Sequence, residues 1–316
     1  MQVTFLGTSA GVPTRSRNVA GVALRLPQRA EIWLFDCGEG TQHQLLKTDL
    51  KISHITRIFI THMHGDHIFG LMGLLATAGM SGHAQRVDLY GPPGLERYVR
   101  DTARHSETHF SQSVDVHPIE SGMVFEDDRF SVRCRPLDHR VPSFGYCVIE
   151  KDSPGHFNVE KAAEMGIPSG PLYGKLKRSE RVILPDGREV SGEEFCGPTI
   201  RGRRIVYCTD TIYCENAVKL AQNADLLIHE ATFARQDEEL ARQSLHSTTV
   251  MAARVAQEAR VKKLVLTHFS PRYEGGSTMR INDLLGEARS IFPPTEMAHD
   301  LMRIEVARHN GKDAVG

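Results

Sequence analysis

The 316-residue sequence predicts an α/β protein, one large domain carrying an insertion, and three observations lead there. The first is Thr61-His62-Met63-His64-Gly65-Asp66-His67, with three histidines and a carboxylate inside six positions. The β-branched and aromatic run Arg57-Ile58-Phe59-Ile60 precedes it and an apolar stretch of helix length, Ile68 to Met80, follows, so the cluster sits on a strand-to-helix turn. The second is a set of later buried-strand runs, Ile205 to Thr211, Leu226 to Thr232 and Leu264 to Ser270, which carry Asp210, His229-Glu230 and His268 at their C-terminal ends. Strand ends of that kind are where α/β proteins place their sites. The third is the stretch Lys151 to Arg204, rich in glycine and proline and holding no period, which reads as an interruption unlikely to pack as core.

On the metal-ligand turn, His62 and His64 can point at one ion while Asp66 and His67 face a second. Imidazole nitrogens with few carboxylates and no thiolate suit zinc, with manganese or iron as alternatives. Asp210 has two oxygens with which to bridge two ions, and His268 would complete the second. His139, in Pro136-Leu137-Asp138-His139, reads either as a ligand delivered from a second sheet or as a solvated loop histidine.

The formal net charge of -1 gives no argument for a nucleic-acid partner, which would have to be met by a local basic patch. Six cysteines, Cys37, Cys134, Cys147, Cys196, Cys208 and Cys214, form no C-x-x-C pair, and several sit in strand-like runs; they read as small buried hydrophobes of a reducing compartment. The sequence opens directly on a strand, with no basic leader, and its longest apolar run, the 13 residues after His67, is too short for a membrane span. A cytoplasmic protein with no membrane partner is the expectation.

In chain order, strand Val3 to Leu6 leads into Gly7 to Asn18, a glycine-bearing loop in which Arg15 and Arg17 offer forked donors to phosphate or stand solvated. Strands Val22 to Leu26 and Ile32 to Phe35 follow, then Asp36, which either orients a metal-binding histidine or caps the next helix. After the metal turn come a strand at Val87 to Tyr90 and a helix from Pro92 to about Arg104, with proline in its first turn. Val114 to Pro118, Met123 to Phe125, Phe130 to Cys134 and Phe144 to Ile149 read as one antiparallel sheet. Lys175, Lys177, Arg178, Arg181 and Arg188, with Arg201, Arg203 and Arg204 beyond, make the glycine- and proline-rich stretch a candidate phosphate clamp.

Together, His62-Met63-His64-Gly65-Asp66-His67, His139, Asp210 and His268 resemble the five-motif pattern of the metallo-β-lactamase superfamily. Within it the chain resembles ribonuclease Z, the tRNA 3′-processing endonuclease family, through Phe5-Leu6-Gly7-Thr8-Ser9, Pro13-Thr14-Arg15-Ser16-Arg17-Asn18, Asp36-Cys37-Gly38-Glu39-Gly40-Thr41-Gln42, His229-Glu230-Ala231-Thr232 and His246-Ser247-Thr248. The family loop often has lysine where Arg15 stands, a departure that keeps the charge. The resemblance implies an αββα sandwich over residues 1–152 and 199–316, with 153–198 a protruding flexible arm that grips tRNA from the partner subunit of a homodimer. It implies two zinc ions, one on His62, His64 and His139, the other on Asp66, His67 and His268, with Asp210 bridging. Asp66 would orient or deprotonate water, and His246, steadied by Glu230, would protonate the departing 3′ oxygen. Arg15, Arg17, Asn18, Lys175, Lys177, Arg178, Ser247, Thr248, Arg272 and Tyr273 would hold precursor tRNA. The product would be a tRNA with a free 3′-OH and a 5′-phosphorylated trailer. A small-molecule hydrolase of thioesters, lactones or phosphodiesters is the rival on the same cage, although it would have little use for the arm or for His246 with Glu230.

Overall fold

The computed structural model describes residues 1–80, 86–110, 113–184, 186–274 and 280–308; Pro185 of the glycine- and proline-rich stretch lies outside them. The chain divides into two compact units. The first takes in residues 1–127, 131–148 and 204–306, and the second residues 128–130, 149–203 and 307 onward.

The first unit is built on two seven-stranded sheets. One runs in the order Arg303–Glu305, Gln2–Gly7, Gly21–Leu26, Glu31–Phe35, Ile55–Phe59, Val87–Gly91, Val114–Pro118, antiparallel as far as Glu31–Phe35 and parallel from there. The other runs Thr295–Met297, Leu264–Thr267, Leu226–Glu230, Arg204–Cys208, Ser143–Glu150, Phe130–Leu137, Gly122–Glu126, its first four strands parallel. Alternation sorts the side chains of each strand between two apolar layers. Leu34, Ile58 and Leu89 join Leu71, Leu74, Leu95 and Val99 of helices Leu71–Met80 and Leu95–His105 in one buried cluster. Their strand neighbours face the other way, where Phe35 and Phe59 of the first sheet, stacked at 5.1 Å, meet Tyr146 and Tyr207 of the second at centroid separations of 5.4 to 6.0 Å. Each such ring pair contributes about 1 kcal/mol beyond its buried area. This aromatic layer lies directly beneath the strand ends that carry Asp36, His62 and Asp210.

Two expectations are corrected here. Val114–Pro118 does not join the antiparallel group; it pairs parallel with Val87–Gly91, because helix Leu95–His105 between them is long enough for a crossover. The apolar run after the metal turn is two helices, Gly65–Ile68 and Leu71–Met80. Gly70 separates them: its N–H donates to Cys37 O at 2.9 Å, and a Cβ there would lie 2.1 Å from the Gly38 carbonyl oxygen.

The second unit overturns the reading of a stretch without core. Phe157, Ala162, Ile167, Leu176, Val182, Leu184, Val190 and Phe195 form a buried cluster of their own. Ala162, Leu176, Val182 and Val190 come from helices Val159–Glu164 and Pro171–Lys177 and the hairpin Arg181–Ile183 with Glu189–Ser191, three to seven residues long and too short to establish a period, and the other four from the segments before, between and after them. Asn158 caps the first helix through Lys161 N–H at 2.8 Å, and Ser191 with Glu194 forms a capping box. The basic excess read for Lys151 to Arg204 does not hold for the arm itself, since 153–198 carries six basic and seven acidic residues. Arg178 pairs with Glu180 and Arg188 with Asp186, both at 2.6 Å.

Glu150 and Arg203, both buried, close the base of this unit with contacts of 2.6 and 2.9 Å, and Arg308 adds a third donor at 2.8 Å. Burial works to raise the Glu150 pKa, but these arginines bring it down to about 2. A depressed carboxylate stabilises the fold above its unfolded pKa, about 4.3, and loses that contribution as pH falls through the folded value. Replacing Glu150→Gln removes the carboxylate charge that Arg203 and Arg308 share and is expected to cost about 3 kcal/mol at pH 7 by urea titration followed in the far-ultraviolet. The gap between wild type and variant should close between about pH 4.3 and pH 2; a gap independent of pH would show that the charge of Glu150 is not what stabilises.

Candidate metal centre and its flanking proton donor

Three residues that end strands of the two sheets, Asp36, Asp210 and His268, take left-handed backbone angles, φ 58, 48 and 59°. Such conformations are rare outside glycine and cost of order 1 kcal/mol each, and they turn the chain so that the side chain looks along the strand axis into the space above the sheets. There they meet His62 and His64 from the turn after Ile55–Phe59, Asp66 and His67 from helix Gly65–Ile68, and His139 from the loop after Phe130–Leu137.

Three overlapping groups of possible ligand atoms result, His62, His64, His139 with Asp210, then Asp66, His67 with His268, and Asp210, His246 with His268, each with its atoms within 4.8 Å of one another. His62 Nε2 lies 3.0 Å and His139 Nε2 3.3 Å from His64 Nδ1. His67 Nε2 and His268 Nε2 are buried without a hydrogen-bond partner, each 3.2 Å from Asp210 Oδ1. Nitrogens converging at such distances, with buried Nε2 atoms that lack a hydrogen-bond partner among the described residues facing carboxylates, fit divalent-cation binding.

The outward nitrogens are held in turn. His62 Nδ1 lies 3.0 Å from Thr61 Oγ1, His67 Nδ1 donates to Asp36 at 2.8 Å, His139 Nδ1 to Leu245 O at 3.1 Å and His268 Nδ1 to Thr232 Oγ1 at 3.0 Å. Such partners fix ring orientation and leave Nε2 as the ligand atom. Burial and the neighbouring His67 push His62 down to about 2, a neutral imidazole at any working pH, and burial lowers His64 and His139 as well. Burial would lower His67 too, but Asp210, Asp36 and Asp66 outweigh it and raise His67 well above the ordinary value. Three carboxylates thus create a field that holds a positive charge at that point, which is what a cation site requires. Gly11 N–H donates to Asp66 Oδ2 at 2.9 Å, so the loop Gly7 to Asn18 closes over this carboxylate.

Beside the ligands stands His246. Its Nδ1 donates to Glu230 Oε1 at 2.9 Å, and its Nε2 lies 4.0 Å from Asp210 Oδ2. Glu230 is fully buried and also accepts from Thr211 N, Ser247 N and Thr232 Oγ1 at 2.6, 2.9 and 2.7 Å. Burial favours its neutral form, yet the charge and hydrogen bond of His246, with His268 adding to them, lower its pKa, and it stays ionised. Burial alone would lower His246; Glu230 raises it to about 9. A protonated imidazole at neutral pH, partly exposed and next to the ligand cluster, is arranged to donate a proton.

The expected metal ligands all meet here, as do Asp66, Glu230 and His246. Asp36 is an orienting carboxylate and not a helix cap, since Gly40 precedes the helix Thr41–Leu45. The residues expected to touch substrate divide. Arg15 is exposed and makes no hydrogen bond or ion pair with the described residues; it lines a cleft of about 980 Å³ together with Arg280 and His299. Arg17 is not a free fork: it donates to Thr8 Oγ1 at 2.7 Å and Ala298 O at 2.8 Å, pairs with Glu274 at 3.0 Å and covers the Phe269 ring. Asn18 donates to Glu39 O, Ser247 to Thr211 O, and Thr248 caps helix Thr249–Glu258, so these three brace the site. Tyr273 is buried, its hydroxyl bonded to Asp237 and Ala234, whereas Arg272 remains half-exposed beside Asp237. Lys175, Lys177 and Arg178 lie together on and just after helix Pro171–Lys177 of the second unit.

Sequence reasoning missed Thr61, Tyr207, Thr232 and Leu245. Thr232 lies in a motif already singled out, but Tyr207 sits in a strand run where an aromatic signals only core, although its hydroxyl donates to Asp36 Oδ2 at 3.1 Å.

Residues 1–153 match the family model described as anti-Pycsar protein Apyc1, and residues 177–269 that of the beta-lactamase superfamily domain. The ribonuclease Z of Cyanothece sp. is 62% identical over 98% of this chain and 97% of its own, and that of Nostoc punctiforme 63% over 98% and 97%. Among solved structures, human tRNase Z, short form, is similar at a TM-score of 0.70 and 34% identity, covering 97% of this chain and 100% of its own.

If Asp36 sets the His67 ring, Asp36→Ala should weaken metal binding about 10- to 100-fold. Competition with a chromophoric chelator measures this directly, and an unchanged affinity would remove Asp36 from the metal centre.

Proposed function

The chain belongs to the ribonuclease Z family, on the metallo-β-lactamase fold, and on that premise we propose that it cuts 3′ trailers from precursor tRNA with two zinc ions. His62, His64 and His139 would hold one ion and Asp66, His67 and His268 the other, Asp210 reaching both. The bound pair would supply a nucleophile near neutral pH and neutralise the phosphate oxygens. Asp66 orients the attacking water and takes up its proton. As the oxygen of that water bonds to phosphorus, the bond from phosphorus to O3′ breaks and His246 Nε2 gives O3′ its proton. The products are a tRNA ending in 3′-OH and a trailer beginning with 5′-phosphate.

The observation that carries this reading is the His246–Glu230 pair. An alkoxide leaving group needs a proton, whereas a thiolate or enolate leaves with far less help, so a proton donor held beside the ligands favours a phosphodiester of ribose. Arg15, in its cleft, is the exposed cation offered to phosphate near the cut, Arg272 would join it by giving up its ion pair with Asp237, and Lys175, Lys177 and Arg178 are the candidate RNA patch of the second unit. The domain 153–198 acts as a tRNA-binding exosite in this reading, serving the active site of a partner subunit. Exposed Leu46, Phe69 and Met80, on and beside helices Thr41–Leu45 and Leu71–Met80, offer apolar surface for that homodimer. The six cysteines are free, which supports a reducing compartment such as the cytoplasm. No helix among the described residues is long and apolar enough to cross a membrane.

The test is incubation with a 3′-extended precursor tRNA and an unstructured RNA of equal length, with metal analysis and a chelator control. A single chelator-sensitive cut next to the discriminator base, with the folded substrate preferred, is expected. His246→Ala should lower kcat about 10²- to 10⁴-fold while sparing bis(p-nitrophenyl) phosphate, whose phenolate leaves unprotonated. Two bound metals without RNA cleavage would overturn the reading in favour of a small-molecule hydrolase. Sedimentation velocity of Phe69→Glu tests the dimer: a shift to monomer is expected, and an unchanged dimer places the interface elsewhere.

A further inference from the structure

We propose that Arg140 is a positioning residue for the proton donor: with its neighbour His139 it grips the backbone just before His246 and so fixes that imidazole beside the ligand cluster. The inference rests on the reading of His246 as the group that protonates the leaving oxygen. Helix Glu238–Ser244 ends at Leu245, which takes a left-handed conformation, φ 56°, and the His246 N–H turns back to Ala241 O at 2.9 Å. The last carbonyls of a helix have no partner inside it, and a leucine at positive φ is strained, so this turn needs outside support.

Two adjacent residues of the loop after Phe130–Leu137 provide it. Arg140 Nη2 donates to Gln243 O at 2.6 Å, and His139 Nδ1 donates to Leu245 O at 3.1 Å. The guanidinium also complements the negative end of the helix. Among the described residues this is the hydrogen bond that Arg140 makes; the side chain is otherwise exposed and is no part of the buried core. His139 meanwhile turns its Nε2 to the ligand cluster and sets its ring edge-on to His246 at a centroid distance of 4.9 Å. One two-residue segment therefore carries a metal ligand and the clamp on the proton donor. The distance between ligand cluster and donor is set by a rigid support, not by the helix alone.

Arg140→Ala and Arg140→Lys in the full-length, metal-loaded protein test this against precursor tRNA and bis(p-nitrophenyl) phosphate, with metal content and amide hydrogen exchange of residues 243–246 followed alongside. Arg140→Ala is expected to lower kcat on precursor tRNA about 10- to 100-fold with KM unchanged, since small misplacement of a reacting group costs that much. Bis(p-nitrophenyl) phosphate turnover and metal content should stay at the wild-type level, exchange at 243–246 should quicken, and lysine should restore part of the loss. A raised KM with kcat intact would make Arg140 an RNA contact and overturn the proposal, as would equal losses on both substrates or unchanged exchange. Wild-type protein that leaves RNA uncut would instead sink the proposed function, and the exchange measurement then decides the clamp by itself.

Discussion

Asp36 is the interaction on which the first unit most depends. Its carboxylate is fully buried and accepts from Thr61 N–H and Thr61 Oγ1, from His67 Nδ1 and from the Tyr207 hydroxyl. Those donors come from the strand end after Ile55–Phe59, from the ligand turn and from the second sheet, so one anion ties two sheets to a ligand. A charge taken out of water at this depth is tolerated only when its oxygens are satisfied, and here they are. The aromatic layer below keeps water away and makes each of these bonds stronger than it would be at a surface.

The His246–Glu230 pair uses the same logic on the other side of the site. Glu230 gathers His246, Thr211, Thr232 and Ser247, while Thr232 also accepts from His268. His268 and His246 thus share one buried carboxylate, His268 through the single hydroxyl of Thr232. Rigid first contacts of this sort account for how strained residues such as Asp210 and His268 persist, since the surrounding bonds over-determine their backbone.

What could be read from the sequence follows the range of the signal. His62, His64, Asp66 and His67 are close in the chain, and Asp210 and His268 close buried runs, so pattern alone placed them. His139 needed the resemblance, because a single histidine after Leu137 has no local signature. The αββα order and most strand limits were legible because the strands are apolar on both faces. The core of residues 149–203 was not, as its helices and hairpin are too short for periodicity and its closure rests on Glu150 and Arg203, 53 positions apart. Arg17 shows a different limit: a motif names the residue but not whether its donors face a ligand or, as here, Thr8, Ala298 and Glu274.

Trp33 is the single tryptophan of the chain and lies wholly buried, its ring 5.9 Å from Phe59 and 5.6 Å from Phe125. Its emission therefore reports the layer between the two sheets, whereas residues 149–203 hold no tryptophan, their ring chromophores being phenylalanines and Tyr173. A melting curve recorded by tryptophan fluorescence and one recorded by backbone dichroism weigh the two units differently. Where the curves separate, the units unfold as independent steps; where they coincide, a 316-residue chain with two cores behaves as one cooperative body.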